Sequence, residues 1–450
     1  MTFIICWTSA NFIKKTKHLR HFPGPFALPI VGNLYNPSAL SIISYIKQMN
    51  KIHGKIFTFW PGPSPMLVVS DPNIARLILS NPVTFIKGSD YTEKFSVVFG
   101  DGLVTSQGRK HKDDRACFGR YFIGSNINKH LPMFVSETLR MMNEFMEQSL
   151  GKDINVEYFF HMLALRMFGK FSLSIDYGDP SNYKIAESIN TAVKYGSNVV
   201  GEHIVLNIPM SPLFPRVQKL HNIVKWMDKY LDKVIDKRIE DMHNSKKIPE
   251  DILDIMLANG IPRDKMHNHL RTLLSAGHDT TAFFGCYMAY LLAKHPKVQD
   301  KIKKEISTVL KGINYIESDD IPALKYCRMV MQETLRMYSI IPFVNRTTAT
   351  DYKIKDKDLV IPRGTVILVA LSNMNRDSDI WDKPNEFIPE RFHDMKSHCS
   401  AKHGYFPFCY GTRTCIGNTL ALTEGVVMLA LLMQRYYFYP TPGFKPNVIA

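Results

Sequence analysis

The stretch Phe408-Cys409-Tyr410-Gly411-Thr412-Arg413-Thr414-Cys415-Ile416-Gly417 follows the pattern Phe-x-x-Gly-x-Arg-x-Cys-x-Gly. By average residue usage, a chance match in a chain of this length is about one in ten thousand. Gly411 permits a tight loop. The loop presents one thiol, Cys415, and then runs into an apolar helix expected from Asn418 to about Gln434. Backbone N–H groups at that helix start are expected to donate to the sulfur and hold it as thiolate. Arg413 adds a positive charge for an anionic group nearby. Two other readings of Cys415 stand beside this one. It can be an inert buried thiol, or a zinc ligand with His398, Cys399, His403 and Cys409, although that spacing fits no common zinc pattern.

Working back from the loop, three more clusters recur. Pro384, Phe387 and Pro389-Glu390-Arg391-Phe392 precede it, and about 80 residues upstream lies Glu333-Thr334-Leu335-Arg336. The i, i+3 spacing of Glu333 and Arg336 puts both on one helix face; alone, such a pair reads equally as a surface ion pair. Ala276-Gly277-His278-Asp279-Thr280-Thr281 lies midway along a helix expected from about Met266 to Lys294 and stopped by His295-Pro296. A helical threonine can bond back to the turn before it and loosen the ladder, and Gly277 adds backbone freedom. The result is a notch able to admit a small ligand, or else merely a kinked core helix. Further back, Asp101-Gly102-Leu103-Val104-Thr105-Ser106 leads to His111-x-x-x-Arg115, and Arg346 sits in Pro342-x-x-x-Arg346-Thr347-Thr348.

The rest of the chain sets the frame. It has 450 residues, 45% hydrophobic and 22% charged, so it can bury a large core. This excludes disordered, collagen-like and coiled-coil classes, and no apolar run reaches the 18 residues of a membrane-spanning helix. Lys plus Arg is 56 against 41 acids, a net charge of +15. That balance favours an acidic partner or a membrane surface; for nucleic acid there is no recognised motif. Seven cysteines without a paired spacing suggest no disulfide framework and a reducing compartment. Residues 1–21 combine a short apolar run, ending at Ile13, with Lys14, Lys15, Lys17 and Arg20 behind it. They read as a short membrane anchor with its positive side cytoplasmic, a mitochondrial presequence or a loose terminus. A proline-rich elbow (Pro23-Gly24-Pro25, Pro29, Gly32-Asn33) leads into two strands, Ile56 to Trp60 and Met66 to Ser70; two more are expected near Asp351 to Ile361 and Thr365 to Leu371. Arg216 to about His243 is an amphipathic helix with the stripe Leu220, Ile223, Val224, Met227, Leu231, Val234, Ile235 and Ile239. The apolar, proline-broken stretch before it (Ile204 to Phe214) reads as a partly buried loop or a membrane-dipping one. The fold class is mainly α with a small β region.

On these motifs, their order and their separations, residues 22 to about 440 resemble the cytochrome P-450 family of heme-thiolate monooxygenases. The resemblance implies the P-450 fold, a helical bundle enclosing heme with short β-sheets, as a single catalytic domain over 22–450. It implies heme b, iron protoporphyrin IX, with Cys415 as axial ligand. Arg413, Arg346, Arg115 and His111 would face the propionates; His111 departs from the tryptophan common there but can still donate one hydrogen bond. Phe408, Gly411, Ala276 and Gly277 would frame the cofactor. Thr280 and Asp279 would manage proton delivery to the bound oxygen. Glu333, Arg336 and Arg391 would form a buried charged triad that locks the cysteine loop. A thiolate ligand favours O–O cleavage.

By resemblance, one atom of O2 enters a lipophilic substrate such as a sterol, fatty acid or xenobiotic. Electrons come from an NADPH-dependent flavoprotein reductase at the cytoplasmic face of the endoplasmic reticulum membrane, or from a ferredoxin if the protein is mitochondrial. Pocket residues would include Phe95 to Phe99, Ala276, Ile341 and Phe343. The chain ends 35 residues after Cys415, so the family's C-terminal hairpin, which lines the pocket, is expected to be missing. The alternatives are a reductase-independent heme-thiolate isomerase or dehydratase, which often lacks the acid–threonine pair kept here, and a non-catalytic heme-binding remnant.

Overall fold

The computed structural model describes residues 18–205, 209–244, 251–313, 315–354, 359–393 and 404–444. Most of 1–21 therefore lies outside the described residues, as do His398, Cys399 and His403 of the zinc reading.

Among the described residues, seven strands form two sheets. β1 (Ile56–Phe59), β2 (Met66–Val69), β3 (Phe85–Ile86), β4 (Phe343–Thr348) and β7 (Val366–Ala370) make a sheet of order β1-β2-β7-β4-β3. β2 and β7 run parallel, with Val68 opposite Leu368; the other pairs are antiparallel. β5 (Tyr352–Ile354) and β6 (Leu359–Ile361) form a separate hairpin. Every residue of β1 and β2 is buried, as a sheet covered on both faces requires. The expected strands are present. β3 and β4 are additional; Asn345, Arg346 and two threonines interrupt the apolar signal of β4.

Eight helices position the site, numbered here in chain order: α1 (Ser89–Phe99), α2 (Gly108–Gly119), α3 (Val156–Leu173), α4 (Tyr183–Val205), α5 (Pro215–Asn244), α6 (Arg263–Lys294), α7 (Lys325–Met337) and α8 (Asn418–Arg435). α5, α6 and α8 match the expected helices to within about three residues. α3 is buried around almost its whole circumference, because α6 crosses one side and other helices cover the rest. Two glycines make that crossing close. A Cβ on Gly277 would lie 2.2 Å from the Phe168 ring, and one on Gly285 would lie 2.3 Å from the Phe160 ring. Gly277 thus serves packing rather than backbone freedom, and α6 is an unbroken α-helix through Thr280; the expected loosening of the ladder is not there.

A core that runs from Leu103 to Tyr436 joins α2, α3 and α5 to α8, and a second core lies under the large sheet. The stretch before α5 is partly buried: Ile204 and Met210 pack against Val98, Val199, Val200, Val217 and Leu220, while Leu213 is 91% exposed and Phe214 is exposed too. Among the described residues no strand follows α8, and no helix is long and apolar enough to cross a membrane.

Candidate functional site

The Cys415 loop is held by its own backbone. Cys415 N–H donates to Phe408 O at 2.9 Å, Thr414 N–H to Gly411 O at 3.1 Å and Cys409 N–H to Phe406 O at 3.0 Å. Gly411 adopts φ +75°, and a Cβ there would meet Leu79 O at 2.4 Å. Glycine is therefore required twice, by conformation and by space. Cys409 holds φ +65° without being glycine, a local strain that the surrounding loop imposes.

Behind the loop sits the buried charged cluster. Glu333 and Arg336 are fully buried on α7 and meet through two bonds, Nε–Oε2 at 2.7 Å and Nη2–Oε1 at 2.9 Å. Arg391 Nε and Ile388 N–H also donate to Glu333 Oε1, at 3.0 and 2.9 Å. Arg336 reaches on to the carbonyls of Asn375, Pro384 and Glu386. One carboxylate and two guanidinium groups thereby tie α7 to the segment from Asn375 to Arg391.

Cys415, Phe408 and Arg413 face a cavity between α6, α7, α8 and the loop, holding about 1160 Å³ of space, part of it continuous with solvent. α6 contributes Leu273, Ala276, Gly277, Thr280, Thr281 and Phe284, a stripe at i, i+3, i+4, i+7, i+8 and i+11. The wall is overwhelmingly apolar. Cys415 opens on this cavity rather than on bulk water, so its sulfur is accessible and yet desolvated. Burial pushes the thiol up, while the Gly417 N–H and the Arg115 charge pull it down. The helix start alone therefore does not make the thiolate that the sequence suggested; a coordinated metal ion would.

Arg413 is oriented by one bond, Nη2 to Ser106 O at 2.7 Å. Its Nη1 and the Ser106 hydroxyl are buried without a partner among the described residues. Burial, then Arg346 and Arg115, push the Arg413 guanidinium down to about 10. His111 is buried and held down to about 4, by burial first and then by Arg413, Arg115 and Lys87; it stands as a neutral donor. Arg346 projects from β4.

The sequence reading missed Lys87 and Tyr91. Lys87 Nζ donates to Val104 O at 2.8 Å and Tyr91 OH at 3.1 Å, and lies 4.2 Å from the Tyr91 ring centroid. Burial, then Arg346 and Arg413, lower it well below the usual lysine range. Only the pairing of Lys87 with Tyr91 at i, i+4 hinted at this. Among the described residues, no carboxylate is one of the principal charges acting on Lys87 or Arg413. Buried cations without a counter-charge cost several kcal/mol each unless an anion neutralises them. The surplus of cations, the unpartnered Arg413 Nη1 and the thiol in the wall fit a dianionic metalloporphyrin.

The structure sets Asp279 apart from Thr280 and corrects the expected pocket residues. Asp279 does not line the cavity. It lies between α6, α3 and α4, where its Oδ1 is 3.3 Å from His161 Nε2 and its Oδ2 accepts from Ser197 Oγ at 3.1 Å. Thr280 does line it, its hydroxyl back-bonded to Ala276 O at 2.7 Å. Of the expected pocket residues, Ala276 and Ile341 are in the wall. Phe95, Val97 and Phe99 instead pack with Val98 against Val199, Val200, Val217 and Leu220, and Phe343 packs under the sheet.

Cytochrome P450 is the family whose pattern matches residues 22–449. The chain is 27% identical to Protein LUTEIN DEFICIENT 5, chloroplastic, of Arabidopsis thaliana, over 88% of this chain and 69% of that protein. It is 25% identical to Cytochrome P450 3A14 of Cavia porcellus, covering 96% and 87%, and 24% identical to Cytochrome P450 4F2 of Homo sapiens, covering 100% and 91%. The fold and the site define the class, a heme-thiolate oxidoreductase. The chain belongs to the cytochrome P450 family, monooxygenases that take electrons from redox partner proteins and act on lipophilic substrates.

Proposed function

We propose that this chain hydroxylates or epoxidises a lipophilic substrate, a sterol, fatty acid or xenobiotic, in the cavity bounded by α6 and the Cys415 loop. The observation that carries the reading is one apolar cavity with Cys415 in its wall and the unpartnered Nη1 of Arg413 beside it. Heme b, bound there, supplies O2 activation and one-electron chemistry. Cys415 would ligate the iron, with the Gly417 N–H against its sulfur. Arg413, Arg346, Arg115 and Lys87, with neutral His111, would hold the two propionates. Phe408, Gly411, Ala276 and Gly277 would frame the ring. The apolar wall from Leu273 to Phe284 would orient the substrate and exclude water.

An NADPH-dependent flavoprotein reductase suits a chain of net charge +15; a ferredoxin takes that place if the protein is mitochondrial. Exposed Phe26, Leu28, Ile30, Val31, Leu213 and Phe214 support attachment to a membrane surface, with the endoplasmic reticulum as the location.

The test is the absorption spectrum of the reduced protein under carbon monoxide. A strongly red-shifted Soret band, lost in Cys415→Ala, supports the reading. A band typical of histidine ligation, or no heme, sinks it. Rearrangement of an organic hydroperoxide without any reductase, with no NADPH-driven oxygenation, would instead favour the isomerase alternative, for which Asp279's turn away from the cavity speaks.

A further inference from the structure

We propose that Glu424, acting with the Thr281 hydroxyl, is the proton donor to this cavity. The inference rests on the monooxygenase reading of the same site and assigns it a group that reading lacks. Inserting one atom of O2 into a C–H bond reduces the other atom to water. The balance is RH + O2 + 2e⁻ + 2H⁺ → ROH + H2O. The electrons come from the redox partner, and the protons must cross a wall that is almost wholly apolar.

Among the described residues lining the cavity, Glu424 is the only carboxyl. α8 brings it there on the stripe Gly417, Leu420, Ala421, Glu424, at i, i+3, i+4 and i+7. It faces α6 across the helix interface. Thr281 Oγ1 lies 3.4 Å from Glu424 Oε2, a long bond, and Oε1 has no partner among the described residues. Buried carboxyl oxygens are nearly always satisfied, so an open one on a residue that borders a reaction cavity needs a reason.

Burial pushes Glu424 up to about 8, and only the Thr281 hydroxyl opposes this. The neighbours that share its wall are Thr281 and Phe284 on α6 and Met331 and Leu335 on α7, none of them charged. The titratable groups elsewhere on the wall are Arg413, Cys415 and Cys409. Asp279 faces α3 and α4 with His161, and His278 is buried on another face of α6. Glu424 thus carries a proton at neutral pH and holds it near the operating range, where a donor is most effective. Its proton passes to the Thr281 oxygen, whose own proton moves on to the oxygen being reduced. The carboxylate left behind is reprotonated by water entering the cavity.

The experiment uses the heme-loaded full chain, wild type beside Glu424→Gln, Glu424→Asp, Thr281→Val and Asp279→Asn. The first readout needs no turnover: infrared difference spectra across pH 6 to 10. The wild type should show a protonated carboxyl band that titrates near pH 8, absent in E424Q and retained in D279N. The second is product formed per NADPH, with its solvent deuterium effect. In E424Q and T281V product formation should fall about 10²-fold, the low end for a positioned proton donor, with heme content unchanged and E424D partly restoring it. No such band in the wild type, or wild-type coupling and isotope effect in both E424Q and T281V, overturns the proposal while the monooxygenase reading stands. If E424Q does not fold, T281V and the wild-type band decide alone. A wild-type chain that binds no heme overturns both.

Discussion

Glu333→Gln is the sharpest probe of what holds the heme loop. The substitution keeps shape and volume and removes one charge from a site with no solvent exposure. Glu333 accepts four bonds: two from Arg336, one from Arg391 and one from the Ile388 N–H. A carboxamide can accept on one side only, so its NH2 must face a guanidinium donor. Breaking a buried pair in this way costs about 3–5 kcal/mol, because the remaining charge stays buried. Arg391 keeps some exposure and keeps its bonds to Asp382 O and Lys383 O; removing its partner matters less than removing Arg336's. Unfolding entropy of about 2.1 cal/mol/K per residue over 450 residues is roughly 0.9 kcal/mol/K. The midpoint of a reversible transition should then fall by about 3–5 °C, modest for so buried a change because the chain is long. Arg391→Leu should cost about half as much, and the double variant less than the sum, since both act on one carboxylate. The assay is thermal unfolding followed by near-ultraviolet circular dichroism and by release of heme from the loaded protein. A Glu333→Gln midpoint within 1 °C of wild type, or strict additivity with Arg391→Leu, would refute the claim that this cluster is one cooperative anchor.

Gly277→Ala places a methyl 2.2 Å from the Phe168 ring; overpacking should cost about 1–3 kcal/mol, and adding Phe168→Leu should recover most of it in a denaturant titration. Gly411→Ala puts an L side chain at φ +75° against Leu79 O. It should abolish heme uptake while leaving far-ultraviolet dichroism near wild type. His278 is fully buried, and burial, then the His161 charge, lowers it to about 4. The unfolded chain binds that proton below about pH 6.5 and the folded chain only below about 4. The stability His278 allows at neutral pH is therefore lost as pH falls from 6.5 to 4. His278→Leu should flatten that acid limb by up to about 1.4 kcal/mol per pH unit, read from urea midpoints; an unchanged slope would contradict it.

The proximal side was legible because its chemistry is local in sequence. Gly411, Arg413 and Cys415 sit within five residues, and each has one physical job. Glu333 and Arg336 share a helix face, and the Arg391 segment is marked by its prolines. The sheet was legible where strands are wholly apolar, as in β1 and β2, and not in β4, where Arg346 and its polar neighbours break the run. Lys87 escaped because its one local sign, Tyr91 at i+4, does not say that its ammonium will lie buried beside Arg346 and Arg413. The pocket assignment of Phe95 to Phe99 failed for a related reason. An aromatic ladder on α1 fits a core or a cavity wall equally, and which one it meets is decided by α4 and α5, a hundred residues on.

The acid on α6 is the instructive case, because the helix itself argued against it. Successive residues on an α-helix are turned by about 100°, so Ala276, Gly277, Thr280 and Thr281 fill an arc of about 140° and Asp279 falls about 60° outside it. If Thr280 lines the cavity with Ala276, Gly277 and Thr281, Asp279 must point elsewhere, and it does, to His161 and Ser197. The residue able to replace it was also visible. Between Asn418 and Gln434, Glu424 is the only ionisable side chain in an otherwise apolar helix. A carboxyl so placed must be paired, or neutral with a reason to be there. Sequence could show that Glu424 was out of place, but not that Thr281, 143 residues earlier, would be the one group to meet it. That meeting depends on α6 and α8 packing side by side, a tertiary fact with no local signature.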